Sequence, residues 1–173
     1  MGIPEGTPLE IPLLTSDDPL PRRIAELMSE SLVQCGIHIA VNALPKEQLF
    51  AAGPDAPLFG RNFLVTQFGW MNSWQSPCTL FSTQEIPGPY PEFPQGWGGA
   101  NLSGFSSPDF DRTCMRTVSA MPDQPENAAA HHLAQAIFTE ELPALPLFMH
   151  LSQIAASTDL CGLDLNPSAD SVL

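Results

Sequence analysis

The sequence predicts an α/β fold, and three observations predict it. Residues 9 to 44 alternate strand, helix and strand patterns. Two further helical patterns follow residue 107, and a long aromatic stretch with little charge separates the two regions. Alternation of this kind is the signature of strands crossed over by helices. At 173 residues the chain has the length of one domain, and we read residues 1–173 as a single one.

After a Gly/Pro-rich leader, Leu9 to Thr15 reads as a short apolar strand. Ser16, Asp17 and Asp18 then offer N-cap side chains ahead of Pro19 and Pro21, which a first helical turn tolerates. From Arg22, the residues Ile24, Leu27, Met28, Ser31, Leu32 and Cys35 recur at helical spacing, and Gly36 supplies a C-terminal stop. Ile37 to Leu44 returns to β character through Ile37, Ile39 and Val41. Strand, helix and strand make a βαβ unit, whose strands run parallel.

Pro45 starts a short helix over Lys46 to Ala51, Gly53 to Gly60 is rich in turn residues, and Asn62 to Phe68 reads as a third strand. Ser107-Pro108-Asp109 caps a helix from Phe110 to about Ala120, with Phe110, Cys114 and Val118 on one face. A second helix over Pro125 to Glu141 is expected to bury Ala129, Leu133, Ala136 and Ile137 and to stop before Pro143. Leu145 to Leu151 and Gln153 to Ser157 read as short β segments.

The stretch from Gly69 to Pro108 holds Trp70, Trp74 and Trp97 with Phe81, Tyr90, Phe93 and Phe105, yet only Glu85 and Glu92 carry charge. Connections longer than about 12–15 residues are uncommon in compact domains unless they serve function or are disordered. Disordered segments are poor in aromatics, so we read this stretch as an ordered binding surface. The plainer alternative is a loop folded over an exposed edge of the core. Its position after a strand is where open α/β sheets take their ligands.

The formal charge is −13, with only Arg22, Arg23, Lys46, Arg61, Arg112 and Arg116 as cations. No basic patch for phosphates exists, which argues against nucleic acid and anionic membrane surfaces as partners. The four cysteines, Cys35, Cys78, Cys114 and Cys161, stand far apart without CxxC spacing, so they do not read as a zinc site. Two disulfides in an oxidising compartment or four reduced thiols both fit the count. Of the three connectivities, we favour Cys78 with Cys114, because the Pro77-Cys78 turn is expected near the helix begun at Ser107, which leaves Cys35 with Cys161.

Catalysis finds no positive support. His131 and His132 are adjacent on a helix and point about 100° apart, which does not suit one metal ion. His38 is expected to face solvent by strand alternation, and His150 ends a strand. The paired acids Asp17/Asp18 and Asp109/Asp111 stand at helix N-termini, where the helix dipole accounts for them, and Glu140/Glu141 stand in a last turn. GxSxG, HExxH and phosphate-binding glycine patterns are absent, and Gly96 to Gly99 lacks a strand-to-helix setting.

Several segments, taken in order, resemble the C-terminal lobe of the extracytoplasmic solute-binding proteins of peptide/nickel-type ABC importers, solute-binding family 5. They are Leu9 to Asp18, the helix ending Cys35-Gly36-Ile37, Phe68-Gly69-Trp70, the run from Asn101 to Asp111 (NLSGFSSPDFD), the run from Glu141 to Phe148 (ELPALPLF) and Cys161-Gly162-Leu163. Their order covers nearly the whole chain. The resemblance implies one lobe of a type II periplasmic-binding-protein fold, with a mixed sheet flanked by helices. It further implies a second, N-terminal lobe, a peptide or other small organic solute held between the lobes, and delivery to ABC permease subunits. The location implied is periplasmic or extracytoplasmic, with a lipid anchor in a region outside this chain; no cofactor is expected, and nickel binding finds no support in the sequence, which offers no carboxylate or imidazole cluster. Because both family crossings between lobes are missing, the chain resembles a fragment or an excised domain.

By position, the residues after Gly69-Trp70 line the cleft, with Trp70 at its wall. Peptide-binding relatives carry an aspartate three residues after that tryptophan for the peptide's ammonium group; here Ser73 stands there, and Ser76-Pro77 replaces a common Asp-Pro. The loop therefore carries less negative charge, and Asn72, Ser73, Trp74 and Gln75 remain as stacking and hydrogen-bonding groups. Two other readings compete. One is a protein-interaction domain using the aromatic stretch, and the other a hydrolase with that stretch as a lid and Ser73 with His150 as its reacting pair.

Overall fold

The computed structural model describes residues 4, 6–70, 78–148, 157 and 159. These gather into two compact units, one of residues 6–70 with 79–106 and one of Cys78 with residues 107–148.

The first unit is built on a three-stranded parallel sheet of order β2-β1-β3, with β1 at Leu9–Ser16, β2 at Ile37–Leu44 and β3 at Val65–Thr66. Between β1 and β2 runs α1, Pro19–Leu32, extended by a 3-10 turn over Val33–Cys35 and closed by Gly36 in the left-handed region at φ 77°. Glycine adopts that conformation without a Cβ clash, so the chain turns there into β2. The buried face of α1 differs from the expected stripe. Ala25 is fully buried, Ile24, Met28 and Leu32 are half-buried, and Leu27, Ser31 and Cys35 are exposed. Positions 24, 25, 28 and 32 share one side of a 3.6-residue helix, and the small Ala25 lets that side approach the sheet.

On the other side of β1, Leu14 packs with Leu49, Leu58 and Leu102, joined by Leu44, Phe50, Phe59, Phe63 and Phe68. Leu49 ends the short α2, Lys46–Leu49, two residues shorter than the sequence pattern. The third strand is also shorter than Asn62 to Phe68. Asn62 belongs to the preceding turn instead, its Nδ2 donating to Pro54 O (2.9 Å) and Ala56 O (3.0 Å), and Arg61 has left-handed φ.

The segment 79–106 is organised by 3-10 turns rather than by long elements. Asn101 is fully buried and satisfied: its Nδ2 donates to Ser82 O (2.9 Å) and Phe105 O (2.8 Å), its N–H donates to Glu85 O (2.8 Å), and its Oδ1 accepts from Ser103 Oγ (2.7 Å). A buried amide paired on every side fixes loop geometry that apolar contacts alone leave open. Ile86, Pro87, Gly99 and Leu102 are buried, Phe93 and Trp97 half-buried, and Tyr90 is 78% exposed. Much of this aromatic segment is thus packed rather than presented, closer to the loop covering an edge of the core than to a free surface.

The second unit pairs α3, Pro108–Ser119, with α4, Pro125–Glu141. Ser107 caps α3, its Oγ accepting from Phe110 N–H at 3.3 Å. The faces are rotated from the expected ones. In α3, Phe110, Thr113, Cys114 and Thr117 are buried while Val118 is 68% exposed; in α4, Ala130 and Ala134 are buried, Leu133 is 49% exposed, and Ala129 and Ala136 are exposed. Thr113 and Thr117 donate their hydroxyls to Asp109 O and Cys114 O, both at 2.7 Å, which removes the penalty of burying them. The buried residues of α4 are thus small, while the larger Leu133 is half exposed and lines a groove with Arg112 and Arg116 of α3. Asn127 Nδ2 donates back to Thr117 O (2.9 Å) and Ala120 O (3.3 Å), closing the end of α3. Cys78 and Cys114 form a disulfide with Cα atoms 5.4 Å apart. Cys35 is free and exposed, and Cys161 lies outside the described residues. Residues 145–148 hold no strand and are exposed; the rest of that expected β segment and the Gln153 to Ser157 one fall outside or at the margin of the described residues.

Candidate functional site

Parallel pairing brings the C-terminal ends of all three strands to one edge of the sheet. The register sets Ser16 opposite Leu44, so Asp18 and Lys46, each two residues further on, meet there as an ion pair at 3.2 Å. Asp18 occupies the N-cap position of α1 but makes no capping bond; its carboxylate accepts from Ser16 Oγ at 3.0 Å instead. That hydrogen bond, followed by the Lys46 ammonium, holds the Asp18 carboxyl below its ordinary value of 3.8.

β3 delivers an aromatic tier to the same edge. Phe68 meets Phe50 edge-on with ring centroids 6.0 Å apart, and Trp70 meets Phe68 at 5.7 Å. Phe68 is anchored in the apolar core, whereas Trp70 remains 37% exposed. The Phe68 contact therefore holds a partly exposed indole at the sheet edge, and an exposed indole there is suited to packing against a flat or apolar group. Backbone pairing of β3 continues one residue past the strand, with Gln67 N–H donating to Leu14 O at 2.9 Å. The Thr66 hydroxyl donates to Leu14 O (3.0 Å), and the Thr15 hydroxyl donates to Gln67 O (3.2 Å).

Of the site residues expected from sequence, Trp70 is placed at this edge. Asn72, Ser73, Trp74 and Gln75 lie outside the described residues, as does His150. His38 is exposed on β2, and His131 and His132 stand on α4; among the described residues no group of three or more His, Cys, Asp or Glu side chains could hold a metal ion. Sequence reasoning missed the Asp18–Lys46 pair, which the β1–β2 register brings together. Shallow grooves elsewhere do not touch Trp70: one runs along Pro12, Asn42 and Leu64, and another between α3 and α4 along Arg112, Arg116 and Leu133. Among the described residues, no helix is long and apolar enough to cross a membrane.

No family model matches the sequence. The probable ABC transporter periplasmic-binding protein SapA of Escherichia coli K12 is 27% identical over 150 residues, which cover 87% of this chain and 25% of the relative. The peptide transport periplasmic protein SapA of Salmonella typhimurium is similar to the same extent. The chain thus spans about a quarter of the length of the curated relatives it matches. Among solved structures, the murein tripeptide binding protein MppA of Escherichia coli superposes with a TM-score of 0.61 at 18% identity, over 82% of this chain and 25% of that one. The periplasmic binding protein DppA of Helicobacter pylori, in complex with the peptide STSA, gives 0.61 at 19% identity, over 79% of this chain and 25% of that one. The α/β fold described above is therefore one found in periplasmic binding proteins, and the chain is similar along most of its length to part of the family 5 solute-binding proteins of ABC importers.

Proposed function

We propose that this chain is a ligand-binding lobe of the substrate-binding component of an ABC importer, non-catalytic, taking an oligopeptide or another small organic solute. The observation that carries the reading is Trp70, held half-exposed by Phe68 at the C-terminal edge of a parallel sheet. Open α/β sheets bind ligands at that edge, and indole faces supply much of the contact area in such clefts. The peptide-binding names of the relatives support the cargo class, and their periplasmic names, with the Cys78–Cys114 disulfide, support an extracytoplasmic location. In this reading both compact units belong to one lobe, an N-terminal lobe supplies the facing wall, a lipid anchor lies outside this chain, and ABC permease subunits receive the cargo. Asn72, Ser73, Trp74 and Gln75 join Trp70 in contacting it.

Two-lobed receptors gain affinity by closing around ligand and expelling water from both walls. One lobe alone therefore binds weakly. Titration calorimetry of short peptides into the 173-residue chain is expected to give millimolar or weaker affinity, and a micromolar isotherm from this chain alone contradicts the two-lobe account.

A further inference from the structure

Between residues 79 and 106 the aromatic side chains divide. Phe81, Phe93, Trp97 and Phe105 are half-buried, whereas Tyr90, the only tyrosine of the chain, is 78% exposed, with Pro89, Pro91 and Glu92 exposed beside it. The loop that carries them is closed at its base. Gly88 N–H donates to Gly96 O at 3.0 Å, and within the loop Phe93 N–H donates to Pro89 O (3.1 Å) and Gly96 N–H to Phe93 O (2.9 Å). Phe93 folds back over the buried Gly88 so closely that a Cβ there would stand 2.2 Å from its ring. Buried Ile86 and Pro87 seat the base, and Pro89, Pro91 and Pro94 restrict the backbone above it. The tip is thus held in shape from within while its phenol projects outward. A preordered loop loses little conformational entropy on binding, and tyrosine is among the side chains that dominate protein interfaces. A projecting phenol between exposed prolines fits a pocket. Its charge fits one sign of partner: Glu85 and Glu92 are the charged residues of 79–106, no Lys or Arg occurs between Arg61 and Arg112, and the chain carries −13 overall.

We infer that loop 88–96 is a protein-docking tip: Tyr90 enters an apolar pocket of a partner protein whose rim carries a lysine or arginine opposite Glu92. The inference is separate from cargo binding at the Trp70 edge, and its failure leaves that reading untouched. Its test places the photo-cross-linker p-benzoylphenylalanine at position 90 of the protein in the cells that produce it and maps the cross-links by mass spectrometry. The captured partner is then purified and titrated with wild type, Tyr90→Ala and Glu92→Gln. Cross-links are expected in an apolar pocket of a different protein with a lysine or arginine at its rim. Tyr90→Ala is expected to weaken binding between about tenfold and a hundredfold, the range of an interface anchor. Added salt is expected to weaken the wild-type complex more than the Glu92→Gln complex, because an exposed ion pair is screened. Both variants are expected to keep the wild-type unfolding midpoint, since both side chains are exposed. Unchanged binding by Tyr90→Ala overturns the inference, and so does weaker binding accompanied by a lower midpoint, which makes the tip structural. Cross-links that are absent, confined to the protein's own chain or a second copy, or mapped to a surface without pocket and cation also overturn it.

Discussion

The two compact units solve the burial problem differently. In the first, a parallel sheet buries Leu13 fully and sets Leu14 against Leu49, Leu58 and Leu102, so the burial is aliphatic. In the second, the buried residues of α3 and α4 are Phe110 with threonines, alanines and a cysteine, and a disulfide joins Cys78 to Cys114. Small buried side chains remove less apolar surface from water, and a cross-link offsets the deficit by restricting the unfolded chain. The difference teaches that rigidity at the candidate binding edge comes from packing, whereas the helical pair depends on its redox state.

Four perturbations break or sharpen that comparison, beginning with the largest. Leu58→Ala opens a cavity in the aliphatic cluster and is expected to cost about 3–5 kcal/mol, read as faster amide exchange in β1 and β2. Reducing the disulfide, or replacing Cys114 by Ala, is expected to cost about 3–4 kcal/mol from the loop it closes, with faster exchange in α3 and α4. Should Cys114→Ala leave the exchange of α3 and α4 unchanged, the helical pair owes its stability to packing after all. Asn101→Ala strands the carbonyls of Ser82 and Phe105, and urea unfolding is expected to show a loss of about 2 kcal/mol. Ser107→Ala removes the cap of α3 and is expected to lower stability by about 1 kcal/mol in the same measurement.

The smallest expected effect is one of pH. The Asp18 carboxyl has a folded value below its ordinary 3.8, so its contribution is present above that value and is lost as pH falls through the depressed one. Asp18→Asn should therefore flatten the decline of the urea midpoint below about pH 4, and an identical decline in wild type and variant contradicts the Asp18–Lys46 assignment.

Periodicity located the elements well where local signals agree. β2 spans Ile37–Leu44 and α4 spans Pro125–Glu141, as the pattern predicts, because Gly36 and Pro143 punctuate them chemically. The buried faces were less legible. Val118 and Leu133 look like core residues by hydropathy, yet the buried positions of the helices include Thr117, Ala130 and Ala134 instead, small side chains that hydropathy alone does not rank first. β3 was shortened by Asn62, whose bonds to Pro54 and Ala56 no periodicity reveals. Trp70 was legible as an aromatic residue following a strand, while its place at a cleft wall is what the family resemblance implies. The Asp18–Lys46 pair arises from parallel register between distant segments, which composition does not encode.

The central claim is that cargo meets this chain at the C-terminal edge of its sheet. Chemical-shift mapping of the isotope-labelled chain during a titration with short peptides tests it most directly. The account predicts that the largest shifts fall on the Trp70 indole and the amides of Gln67 and Phe68; shifts concentrated instead on Arg112, Arg116 and Leu133, between α3 and α4, contradict it.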